Sequence, residues 1–382
     1  MSTKSHSLLV FVPALAVIMG CESTPPLLCG DEAGGLGTWS QTPVPTGLTS
    51  SSATSDDEVL IFVQKSCQTC AVGILPPSTS TWAITETTGA AEVINDFYVA
   101  NSSYIFSKGG ASRASGQLMW EQRSMLLERC SDSWLVDSPP IEFRERRAAH
   151  SLAADNEFIV WGGSSTEIEG AMSVAYFDGA TYAPKTAQWR MIPSVMGDVS
   201  YSLENAPSSS TVWTASGLFV WGTLPDRSVP WGAILDIDSM QWTSLRTEGS
   251  DVPPVLVDAY LLTVGGDVFL HGGRSSGSED RSRRMWRYSL SQELWKEVTV
   301  PDWADPAYPG AVVDEKLVFL GRCKSGARYD PKADTWHALT TEGGPPSMGR
   351  LWGVGDFLAV TDTYYGETET DEVWLLDLRE TQ

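Results

Sequence analysis

The 382-residue sequence predicts an all-β protein, a propeller of four-stranded antiparallel blades, from three observations. Tryptophans recur behind turn-rich segments at Trp82, Trp134, Trp189, Trp242, Trp295 and Trp336, at intervals of 52, 55, 53, 53 and 41 residues. Seven residues before each stands an apolar or aromatic residue: Leu75, Leu127, Tyr182, Leu235, Tyr288 and Tyr329. Upstream of each lies a short apolar run rich in β-formers. Repetition at a fixed period of this size marks an architecture built from one supersecondary unit used many times. Composition suits it. Sixteen Trp and 34 Gly supply large rings for packing and residues for tight turns, and an apolar share of 42 % can fill a large core.

The elements follow in order along the repeat. The apolar runs include Tyr104-Ile-Phe106, Phe158-Ile-Val-Trp161, Leu218-Phe-Val-Trp221, Val268-Phe-Leu-His271 and Leu317-Val-Phe-Leu320. Three end in a glycine pair: Gly109-Gly110, Gly162-Gly163 and Gly272-Gly273. Glycine there lets a strand end turn tightly with φ > 0 where a Cβ would clash. The other repeats carry Gln64-Lys65, Gly222-Thr223, Gly321-Arg322 and Thr361-Asp362 instead. Before the Trp the chain is polar and turn-forming, as in Tyr329-Asp-Pro-Lys-Ala-Asp-Thr-Trp336 and Tyr182-Ala-Pro-Lys-Thr-Ala-Gln-Trp189.

A strand ending in a Gly pair, a later Tyr and a Trp shortly after it resembles the Kelch repeat. The resemblance covers roughly residues 38–382 and implies blades packed radially around a channel. It assigns the Trp and Gly residues to packing, with no chemistry. The last repeat has its run at Phe357-Leu-Ala-Val360 and a further strand at Glu372–Asp377. Counting seven from Leu376 calls for a Trp at 383, and Trp39 in Gly37-Thr-Trp-Ser40 can supply it from the other terminus. The expectation is therefore seven blades, the last closed by the N-terminal strand, which removes an exposed edge. Six blades follow instead if residues 45–85 are irregular.

Residues 1–20 read as an export signal. Lys4 gives a positive start, and Leu8 to Met19 is apolar but too short to span a bilayer of about 30 Å. Ile18-Met19-Gly20-Cys21 resembles the lipobox of bacterial lipoproteins, which implies a diacylglyceryl group on Cys21 and cleavage just before it. Residues 21–37 then form a flexible tether. The implied location is the bacterial envelope, the outer membrane or cell surface foremost, with membrane contact only through that lipid. In an oxidising compartment, Cys67-Gln-Thr-Cys70 between two apolar runs is read as a disulfide stapling a hairpin turn. Cys29, Cys130 and Cys323 cannot all pair.

The net charge of −22 repels phosphate backbones, so no nucleic acid is expected as a partner. Outside the leader the histidines are His150, His271 and His337. That set does not furnish the two-His, two-Tyr copper centre of galactose-oxidase-like relatives, so no metal or cofactor is expected. Counting back eight residues from the apolar runs gives Ser52, Phe97, His150, Ser210, Tyr260, Pro309 and Gly349. These lie at one level near the starts of the inner strands, and Phe97, His150, Ser210 and Tyr260 are the candidate ligand-facing groups of a channel mouth. Charged hairpins carry Arg281, Arg283 and Arg284 beside Glu279 and Asp280, and Glu367, Glu369, Asp371 and Glu372; both read as solvated tips. No catalytic motif is present. The first functional expectation is a non-catalytic, lipid-anchored module that presents loops to an envelope protein or a glycan. A sugar enzyme resembling Kelch-type sialic-acid mutarotases, with Arg147, Arg350 and Glu157 as candidates, is the second. A structural envelope component is the third.

Overall fold

A computed structural model describes residues 36–45, 48, 53–55, 58–63, 69–88, 98–108, 111–114, 117–120, 124–129, 131–146, 149–154, 156–165, 173–201, 208–224, 229–275, 278–321, 326–340, 342–345, 349–361 and 372–379. Seven four-stranded antiparallel sheets form a β-propeller, and the described residues contain no helix. Blade 1 runs over 53–88, so residues 45–85 hold a regular blade and the count is seven. Blade 2 covers 98–137, blade 3 150–192, blade 4 208–244, blade 5 257–298 and blade 6 310–339. Blade 7 takes three strands from 350–377 and its outermost from Thr38–Pro43. Innermost strands lie side by side around the ring, and the first and last of them touch.

The apolar runs are the second strands, and their burial explains why they are continuous rather than alternating. In Phe158–Trp161, Phe158 and Val160 pack toward blade 2, while Ile159 and Trp161 pack toward blade 4. A strand covered on both faces has no solvent side to hold polar residues. Seven apolar clusters result, one at each blade-to-blade interface. Between blades 2 and 3 the rings of Phe106 and Phe158 stack 4.8 Å apart and 8° from parallel.

The seven-residue spacing is the geometry of one hairpin. Tyr182 faces Trp189, Leu235 faces Trp242, Tyr288 faces Trp295 and Tyr329 faces Trp336 across the third and fourth strands. Two residues before each of these four tryptophans and before Trp82, residues Ala187, Met240, Glu293, Asp334 and Ser80 take left-handed φ of 50–55° to close the turn. In blade 7 the same pair forms from opposite ends of the chain, Trp39 facing Leu376.

Each indole also holds its blade to the preceding one. Trp39 Nε1 donates to the Thr340 carbonyl at 2.8 Å, Trp82 to Pro43 at 2.9 Å, Trp242 to Pro193 at 2.7 Å and Trp336 to Thr299 at 2.9 Å. Trp134 donates to Thr87 Oγ1 and Trp189 to the Asp137 carboxylate, both on the neighbouring outer strand. Each such bond contributes about 1 kcal/mol net. Trp295 is the exception, its Nε1 buried without an acceptor.

Candidate functional site

Up-and-down strand order puts two kinds of connection on opposite faces of the ring. One face carries the tight turns, such as Gly265-Gly266 between Val264 and Asp267, and the αL turns before the tryptophans. The other carries the long connections. There the chain between Lys108 and Ser124 contains a hairpin, Ala111–Ala114 with Gln117–Trp120. Ser173–Ala175 and Val199–Tyr201, from two separate connections of blade 3, pair into a second small sheet. Loops extended in this way, on a rigid ring, are where propellers can present varied chemistry.

The inner-strand level lies on that long-loop face. His150 pairs with Trp161, Ser210 with Trp221 and Tyr260 with His271, so these three stand at matching heights. In blade 7 Arg350, paired with Thr361, takes that height, and the count of eight that gave Gly349 is one residue off. Phe357 there occupies the place of Glu157, so its apolar run begins one residue earlier. Phe97 and Ser52 lie outside the described residues.

Two of the three side chains engage the next blade, and the third stacks within its own. His150 meets the Ser209 backbone of blade 4, and burial lowers its pKa. Ser210 Oγ donates to the Ala259 carbonyl of blade 5. Tyr260 lies with its ring 5.5 Å from His271. His271 is fully buried, bonds the Pro306 carbonyl at 2.9 Å, and has its pKa pushed down to about 4 by desolvation. The Arg281 guanidinium sits 5.6 Å from the Tyr260 ring and 5.9 Å from Tyr308, with a buried Nη1 that lacks an acceptor.

The other sequence-derived residues are scattered. Glu157 sits at the tight-turn end of blade 3, paired with Arg190 at 3.0 Å, and so is at the opposite end of the inner hairpins from Arg350. Arg283 bonds the carbonyls of Asp302 and Ala304, and Arg284 forks onto Glu297 at 2.6 and 2.7 Å. Glu372 begins a strand of blade 7. Gly162 and Gly163 have φ of 73° and 88°, and Gly272 and Gly273 have 65° and 73°. Gly109, Gly110, Arg147, Glu367, Glu369, Asp371 and Cys21, Cys29, Cys67, Cys130 and Cys323 lie outside the described residues. Cys70 is described only as part of strand Thr69–Leu75, its backbone facing Thr87.

One cluster escaped the sequence reading. The connection from blade 2 to blade 3 carries Phe143-Arg-Glu-Arg146, and its two arginines turn onto Asp178. Arg146 is wholly buried. Its Nη1 reaches Asp178 Oδ1 at 2.8 Å and the carbonyls of Gly162 and Asp178, while Nη2 has no acceptor. Arg144 bridges Asp178 and Asp198 above the Tyr176 ring, and the hydrogen bond it donates to Asp198 raises an already high pKa while lowering that of Asp198. Phe143 lies beneath Arg146 and Lys108. The alternation of Arg144 and Arg146 after a Phe was the available signal, but nothing repeats it in the other blades. Among the described residues no group of three or more His, Cys, Asp and Glu side chains is arranged to hold a metal.

No family model matches this chain, and no curated protein matches it either.

Proposed function

We propose that the protein is a non-catalytic binding module, a Kelch-type propeller held by a lipid on Cys21, which takes a protein or glycan partner on its long-loop face. The observation that carries this reading is the asymmetry of the ring: tight turns on one face, and hairpin-bearing connections with Arg and aromatic side chains on the other. The left-handed glycine pairs of blades 3 and 5 and the Trp pairs of the hairpins support the Kelch reading. The Ile18-Met-Gly-Cys21 sequence supports the lipid.

Two experiments test it. In a pull-down from bacterial envelope extract, the chain from Glu22 onward is expected to enrich one partner. Trp303→Ala combined with Ile141→Ser, which removes two exposed apolar groups at 40 % and 90 % exposure on the long-loop face, is expected to abolish capture. Lys332→Ala in a tight turn is expected to leave it intact. Loss with both variants, or no partner together with no bound glycan on an array, refutes the assignment of the face. For the anchor, labelled palmitate is expected to enter the wild-type chain in a bacterial host and not Cys21→Ser; equal labelling of the two sinks the lipoprotein reading.

A further inference from the structure

Arg281 lies in the connection between the second and third strands of blade 5, Asp267–Arg274 and Met285–Ser289, on the long-loop face. A charged hairpin there is expected to be a solvated tip, yet Arg281 is half-buried. Its guanidinium is 5.6 Å from the ring of Tyr260, on the innermost strand, and 5.9 Å from the ring of Tyr308, in the connection to blade 6. Both tyrosines are half-buried as well, so the cluster reaches solvent. Among the described residues no carboxylate and no hydrogen-bond acceptor meets the Arg281 side chain. Nη1 is enclosed without an acceptor, whereas Nε, Nη2 and the Tyr260 hydroxyl are unpartnered there and not enclosed.

The surroundings hold these groups in place. The Arg281 backbone bridges Arg274, and Ser282 N–H donates to the Gly273 carbonyl at 2.7 Å. Arg283, two residues on, donates to the carbonyls of Asp302 and Ala304, which ties this connection to the one that carries Tyr308. His271 bonds the Pro306 carbonyl at 2.9 Å, with its ring 5.5 Å from that of Tyr260. The three side chains are therefore placed before a ligand arrives, which reduces the ordering cost of binding. A half-buried cation fixed without a counter-charge is unfavourable until an anion completes it.

We propose that Arg281 is the carboxylate-binding subsite for an acidic sugar, a uronate, an inference that rests on the long-loop face being the binding face. The Nε and Nη2 edge of a guanidinium presents two parallel N–H groups that match the two oxygens of a carboxylate. The Tyr260 hydroxyl adds a donor and acceptor for a sugar hydroxyl, and the Tyr308 ring adds apolar surface beside them. A peptide carboxylate fits less well. An extended peptide also needs a strand edge, and the hairpin here pairs its own backbone. The net charge of −22 repels an anion at a distance, but physiological salt confines that field to about 8 Å, and in contact the guanidinium decides.

The test titrates the full chain calorimetrically with tetragalacturonate and with its methyl ester. The acid is expected to bind about tenfold more tightly than the ester, the effect of one charged fork. Arg281→Gln is expected to weaken the acid about tenfold and to leave the ester nearly unchanged. Tyr260→Phe removes one oxygen, keeps the ring, and is expected to weaken the acid about threefold. Where Arg281→Gln does not fold, the ester comparison and Tyr260→Phe decide. Equal affinity for acid and ester, or a folded Arg281→Gln chain that binds the acid as wild type does, overturns the proposal. So does an absence of acid binding up to about 10 mM, or tighter binding of a tetraglutamate peptide, which makes the partner a protein. Partner capture that persists with no uronate bound ends this inference alone. Capture lost in Lys332→Ala as well ends the reading of the face on which it rests.

Discussion

Deleting residues 36–43 is expected to lower the unfolding midpoint by about 10 °C or abolish the cooperative transition, for a loss of about 5 kcal/mol in a domain whose whole stability is of the order of 5–15 kcal/mol. The segment gives blade 7 its fourth strand, with Thr38 to Pro43 pairing residue for residue against Asp377 to Glu372. It also joins blade 6, where Leu36 N–H donates to the Ala338 carbonyl and the Leu36 carbonyl accepts from Thr340. Trp39 adds its bond to Thr340 and packs into the cluster between blades 6 and 7. Without the strand, Glu372–Asp377 becomes a bare edge. Differential scanning calorimetry reads the effect. A synthetic peptide of residues 36–45 is expected to restore part of the loss by mass action. An unchanged midpoint in the deletion shows the strand to be dispensable.

Gly353→Ala is expected to cost about 3 kcal/mol or more, although it adds a single methyl group. Gly353 lies on the innermost strand of blade 7, where a Cβ would stand 1.7 Å from the Val312 carbonyl oxygen and 2.8 Å from its carbon. Both atoms are backbone of the innermost strand of blade 6, so no rotamer change relieves the clash. The two strands must part near the axis of the ring. Gly266→Ala is the control, since a Cβ there meets nothing within 4 Å. It is expected to leave the midpoint within about 0.5 kcal/mol of wild type. Chemical denaturation of the two variants reads the contrast, and equal stabilities refute the close approach as the reason for Gly353.

The blades were legible because packing repeats. A second strand buried on both faces has to be a continuous apolar run, and a Trp facing a residue seven positions back has to recur wherever that hairpin recurs. The closure was legible for the same reason, since Leu376 lacked a partner that Trp39 could be. What pairing cannot announce is how an indole N–H is satisfied. Trp189 uses a carboxylate and Trp242 a carbonyl, while Trp295 uses nothing, and all three look alike in sequence. Register failed by one residue at Arg350, because apolarity does not distinguish the first residue after a turn from the second. The site was the least legible part. Arg146 reaches Asp178 by departing from the repeat, and a residue that occurs once leaves no trace in a pattern of what recurs.

The closing strand also sets an order in time. The hairpins of blades 1 to 6 join residues close in sequence and can form as each leaves the ribosome. The bond from Trp39 to Thr340 spans 301 residues, and the ladder from Thr38 to Asp377 spans more. Contacts so distant form slowly, because the chain must lose the entropy of a long loop before they repay it. The strand made first must therefore wait unpaired until the last blade emerges. Until then the molecule is an open arc with a bare edge at one end and a loose strand at the other. A second arc can donate its own strand to that edge, so crowded synthesis favours exchanged pairs of chains over single closed rings.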